Sequence, residues 1–148
     1  MIPSCPPWIL RGAAAVLATA YFGLAVLHAY WAIGGQHGLG AALPQEGGQA
    51  VLKPGRLATF VVALCLLACS ALLLAWLHVL PGDVPRAYVR ICLGMLAVIM
   101  LLRGIGDFRY AGLFRKRGDG RFVVMDTVLY TPMCIVFSSV LWLLVATD

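Results

Sequence analysis

With 148 residues, 62% of them hydrophobic and only 11% charged, and a mean hydropathy of +0.94, the chain carries more apolar surface than a water-soluble fold of its size can bury, since globular domains are only about half apolar. It reads as an integral membrane protein. The net charge of +5 then speaks of topology rather than of nucleic acid, because basic residues in membrane chains mark the side on which loops are retained.

Residues 1–12 form a Pro-rich lead containing Trp8 and Arg11. The apolar run 13–33 exceeds the ~7–15 residues of a signal-peptide core and matches the ~20 needed to cross a bilayer, which predicts a first span, stopped by Gly34 and Gly35. A polar, Gly-rich link follows, with Pro44 and Pro54, and is expected to fold back toward the membrane surface. Residues 57–80 make the second span. The short stretch 81–85, with Pro81, Gly82 and Pro85, predicts that the third span, 88–105, packs antiparallel beside the second. A basic link and a fourth span, 122–145, complete an all-α, antiparallel four-helix membrane bundle, read as one transmembrane domain over 1–148.

Cysteine adds no redox chemistry: Cys65, Cys69, Cys92 and Cys134 lie in apolar runs, Cys5 stands alone, and no C-x-x-C pair exists. Of the eleven basic residues, Arg11, Arg86 and Arg90 fall on the side of the second link. The remainder fall on the side of the first and third links, which places those links in the cytoplasm and both termini in the periplasm. Trp8, Trp76 and Trp142 at one side and Trp31 at the other mark the interfaces.

The polar residues inside this frame converge. His28, Tyr30 and Trp31 close the first span, Arg103 and Asp107 the third, with Arg109 just beyond, and Asp126 and Tyr130 open the fourth. At 1.5 Å rise per residue His28 lies roughly 9 Å below Gly34 and Asp126 roughly 7 Å below Arg121, so three helices bring polar groups to one depth. An ionised group at the centre of a span costs roughly 2.5–3.5 kcal/mol on insertion scales, so Arg103, Asp107 and Asp126 are expected to find each other or water. Arg103 and Asp107 are four apart, as are Asp126 and Tyr130, and each pair is expected to share a helix face. Pro132 withholds a donor from Val128 and predicts a kink. The expectation is a polar pocket open toward the cytoplasm, with a register-fixing ion pair as the competing reading. His28 reads as a histidine bonded to a neighbour. His78 falls at the opposite leaflet and His37 beyond the helix in the Gly-rich link, which argues against a bis-histidine haem, and no cofactor and no metal are assigned. The link 108–121 interleaves Phe108, Tyr110, Leu113 and Phe114 with Arg109, Arg115, Lys116 and Arg117. Its charges read first as topology signals and second as an interfacial segment.

The runs His28-Ala29-Tyr30-Trp31-Ala32-Ile33-Gly34-Gly35 and Arg103-Gly104-Ile105-Gly106-Asp107-Phe108-Arg109, then Asp126 with Tyr130-Thr131-Pro132, resemble a family of small four-span bacterial membrane proteins grouped as a domain of unknown function. That resemblance implies the fold and the inner membrane, and no catalytic residues. In size and architecture the chain is also similar to inner-membrane immunity proteins against pore-forming toxins of type VI secretion. The expected role is therefore non-enzymatic: binding of a cognate toxin within the lipid bilayer, with Gly23, Gly94, Gly104 and Gly106 permitting close helix approach. The alternatives are a small-molecule or proton-coupled transporter, acting as a homo-oligomer, a lipid-modifying enzyme, and a structural subunit. No nucleic acid is expected as a partner.

Overall fold

A computed structural model describes residues 6–82 and 84–147; Cys5, Asp83 and Asp148 lie outside them. Four helices are long and apolar enough to cross a membrane. They are α1 (Pro7–Ala32), α3 (Arg56–Trp76), α4 (Arg86–Ile105) and a composite last span of α5 (Gly120–Met125), a π-helical turn (Asp126–Tyr130) and α6 (Thr131–Thr147). The first link holds the one-turn helix α2 (Leu39–Ala42) and a two-stranded antiparallel ribbon, β1 (Gln45–Glu46) and β2 (Gln49–Ala50). This is an all-α, multi-pass membrane protein.

Local chemistry explains the helix ends. α1 begins six residues before the apolar run, because Pro7 at its first position needs no hydrogen-bond partner and has its φ preset for a helix. Those extra turns carry Arg11, whose Nη2 donates to the Leu77 carbonyl at 3.4 Å. A free carbonyl at the end of α3 thereby gains a cationic donor. α1 stops with Gly34 left-handed: Gly34 N donates to Trp31 O at 3.0 Å and Gly35 N to Tyr30 O at 2.9 Å. α3 ends the same way, four residues before the expected limit, with His78 at φ 56° in the glycine's role. His78 N donates to Ala75 O and Val79 N to Leu74 O, both at 3.0 Å. The paired bonds satisfy the last carbonyls and stop the helix even without a glycine.

α1 packs along α3 and α4 along α6, while α3 and α4 touch far less. The tight turn thus does not make the second and third spans the main partners. Small residues decide instead: Ser70 Oγ donates to Ala18 O at 2.9 Å between α3 and α1, and Ser138 Oγ donates to Ala97 O at 2.8 Å between α6 and α4. In lipid, where apolar surface gains nothing by helix contact, such close approaches and interhelical hydrogen bonds select the pairing. Gly104 contributes, since a Cβ there would sit 3.0 Å from Ile135 Cγ1, whereas Gly23 and Gly94 border open space. Tyr21, Leu73, Leu93, Leu141 and Leu144 fill the centre, with the Tyr21 and Phe137 rings 5.4 Å apart.

Candidate functional site

The carboxylate of Asp126 is fully buried at the junction of the π turn, the end of α4 and the third link. Arg103 Nη2 donates to Oδ1 at 2.8 Å. Arg115 Nη1 and the Gly112 N–H donate to Oδ2 at 3.0 and 2.8 Å. Arg115 Nη2 donates to Thr127 Oγ1 at 2.9 Å, and that hydroxyl donates to Val123 O at 2.8 Å. One carboxylate therefore accepts from two guanidinium groups and a main-chain amide, giving a cluster of net charge +1. Charge-assisted bonds of this kind are the strong ones, and they offset the desolvation of a carboxylate far more fully than a single pair would.

Three local features build the cluster. The π turn adds one residue to the last span, and Thr131 N donates to Asp126 O, an i to i+5 bond. Thr131, not Tyr130, consequently lies one turn on from Asp126 on the buried face, and its side chain is buried. The half-buried Tyr130 turns toward the first link, its hydroxyl donating to Ala41 O at 3.2 Å. The disturbance expected at Pro132 takes the form of this wide turn just ahead of it.

The second feature is the end of α4. The helix stops at Ile105, so Arg103 and Asp107 share no helix face. Gly106 and Gly112, at φ 93° and 87°, cross with their backbones in contact, and a Cβ on either would overlap the other strand of the loop. The chain then returns along the helix end, where Leu113 N donates to Gly104 O at 3.0 Å and Phe114 N to Ile105 O at 3.4 Å. This return delivers the Gly112 amide and Arg115 to Asp126. The expected open pocket is thereby roofed by the third link.

Asp107 supplies the third feature. Its exposed Oδ1 accepts from the amides of Arg109, Tyr110 and Ala111 at 2.9, 2.7 and 2.9 Å. Partial burial pushes its carboxyl up, but the N–H groups of Ala111, Arg109 and Tyr110 together outweigh that and hold it below its ordinary range. Asp107 thus organises the loop rather than pairing with Arg103.

The other residues singled out in the sequence make local contacts. His28 Nδ1 is 2.8 Å from Leu24 O in its own helix, and its ring meets the edge of Trp31 at 4.9 Å. Trp31 Nε1 donates to His37 O at 2.9 Å, and Tyr30 is exposed beside Gly35. Arg109 is exposed, its guanidinium 5.0 Å from the centre of the Tyr110 ring. Thr127 and Gly112 complete the cluster without having stood out in the sequence, and Arg115, read there only as one of the basic residues of the third link, joins them. Arg115 sits in a run of basic residues, and the pair of glycines bracketing the loop is the one sequence trace of its return.

The first link closes over the same end. Asp119 N donates to Gln45 O at 3.0 Å, Gly47 N donates to Asp119 Oδ2 at 2.8 Å, and Tyr110 Oη donates to Glu46 Oε2 at 2.8 Å. Arg103 Nη1, Thr131 Oγ1 and Tyr21 Oη are buried without hydrogen-bond partners. Among the described residues no group of three or more His, Cys, Asp or Glu side chains is placed to hold a metal ion.

No curated protein and no solved structure matches the chain. A family model described as protein of unknown function, DUF3995, matches residues 21–141, a segment that includes Arg103, Gly112, Arg115 and Asp126. The chain, a four-span membrane protein with a roofed Arg–Asp–Arg cluster, belongs to the DUF3995 family.

Proposed function

We propose that this is a non-enzymatic protein of the bacterial inner membrane that protects the cell producing it by binding a membrane-acting secreted toxin. One observation carries the reading. Among the described residues Asp126 is the only carboxylate within a span, and it is held by two guanidinium groups and an amide. The proton-coupled and acid–base alternatives that run through Asp126 need its carboxylate to take up and release a proton during turnover, and it is engaged in holding three segments together. A protein that works by lateral binding needs instead a fixed bundle with an accessible flank. α3 offers Leu57, Phe60, Val61, Leu64 and Leu67, all exposed. In the orientation that accompanies this reading, the basic end faces the cytoplasm.

The test is deletion of the gene followed by competition against sibling cells that deliver each neighbouring secreted effector. Loss of survival against one effector is expected. Rescue is expected from the wild type and from Asp126→Asn expressed to the same folded level. Unchanged survival against every effector removes the immunity role, and a folded Asp126→Asn protein that fails to rescue returns proton handling to the front.

A further inference from the structure

The return loop bears a feature that the polar cluster does not need. Phe108 is held at φ 59°, a conformation costly for an aromatic residue, and its ring stacks on Phe114 at 5.8 Å and 23°. Phe108, Leu113 and Phe114 are 58%, 60% and 56% exposed. A loop in water gains nothing from presenting three large apolar side chains together. The main chain says where they sit. Leu113 and Phe114 donate to the carbonyls of Gly104 and Ile105, so they run beside the last turn of a membrane span in which Leu101 and Leu102 are also exposed.

The charges around them are one-sided. Every described acid at this end is already engaged: Asp126 by the two arginines, Asp107 by three amides, Asp119 by Gly47, and Glu46 by Tyr110 and by Arg117 at 3.9 Å. Arg109, Lys116 and Arg121 are exposed, and no carboxylate pairs with them among the described residues.

The geometry points to the loop 106–117, together with Arg121 in the first turn of α5, as a rigid anchor for an anionic leaflet, with Phe108, Leu113 and Phe114 entering the acyl region and Arg109, Lys116 and Arg121 meeting phosphate-bearing headgroups. The occupant is lipid because the apolar trio lies level with a span end, where bilayer must already be. The Asp107 carboxylate and the Gly106–Gly112 crossing pre-form the loop, so little ordering entropy is lost on contact. The inference stands apart from the toxin-binding reading and survives its failure.

The full chain, reconstituted in nanodiscs of phosphatidylcholine with or without phosphatidylglycerol, provides the test. Phe114→Trp adds an indole whose emission is obtained as the difference from wild type, and Phe108→Trp gives an independent copy should the first variant not assemble. The added indole is expected to be quenched by lipids brominated on the acyl chain and shielded from aqueous iodide. In a second arm, native mass spectrometry compares retained phosphatidylglycerol with retained phosphatidylcholine. The triple variant Arg109→Gln, Lys116→Gln, Arg121→Gln is expected to lose the preference for the anionic lipid, by up to about fivefold for each cation removed. An indole quenched by iodide and untouched by brominated chains overturns the insertion. A preference for the anionic lipid unchanged in the triple variant overturns the role of the cations.

Discussion

Asp126 is enclosed on every side, and its value to the fold is best measured by what its removal leaves behind. Asp126→Ala strands two guanidinium groups and the Gly112 amide at a membrane interface. Breaking a fully buried pair from one side costs about 3–5 kcal/mol; the Arg103 and Arg115 side chains are 36% and 17% exposed and keep part of their water, so a smaller but clear drop in the thermal transition in detergent is expected, with Arg115 and the third link released. Thr131, one turn away, predicts the opposite sign. Its hydroxyl is buried without a partner, and replacing an unsatisfied buried hydroxyl by a methyl group of the same shape is neutral or stabilising. Thr131→Val should leave the transition unchanged or raise it; a marked drop would mean that the hydroxyl is bonded in the membrane. The sequence makes Asp126 conspicuous, because a carboxylate in an apolar run needs a partner. It does not make Thr131 conspicuous, because its position depends on a turn with one extra residue.

At the scale of elements, the π turn and the return loop each carry a consequence. The π turn is a one-residue insertion that keeps Asp126 and Thr131 on one face. Deleting the exposed Val128 restores an ordinary i to i+4 turn with that face preserved, so the ion cluster and a cooperative unfolding transition should survive. Deleting Val136, also exposed but in regular helix, rotates everything beyond it by about 100° against α4 and should abolish folding. In the loop, Asp107 has a depressed folded-state pKa. Its contribution is therefore present above the ordinary aspartate value of about 3.9 and lost as pH falls through the lower folded value. Hydrogen exchange at Arg109, Tyr110 and Ala111, corrected for intrinsic rates, should accelerate as the solution is acidified through that range, and Asp107→Ala should show fast exchange at every pH. The sequence displays a basic link with glycines. That Asp107 caps it, instead of pairing with Arg103 four residues earlier, follows from where α4 ends, and Gly106 decides that by crossing Gly112.

For the whole molecule, the first and third links interlock through Gln45, Glu46, Tyr110 and Asp119, so they must lie on one side of any membrane the helices cross. In a cysteine-free background that still folds, single cysteines placed at Gln49 and at Lys116 should react with the same impermeant reagent from the same side, and one at Gly82 from the other. Labelling of Gln49 and Lys116 from opposite sides would contradict the fold. The number of spans, their apolar character and the end that gathers the basic residues were determined by composition and hydrophobic run length alone, because a bilayer demands long apolar helices whatever their neighbours. Which helices pair, where α3 stops, and how Arg115 and the Gly112 amide reach Asp126 were decided only by the tertiary structure. The reason is physical: inside lipid all apolar faces are equivalent, so pairing rests on two serine hydroxyls and one close glycine contact, and the charge cluster on a loop whose path no periodicity records.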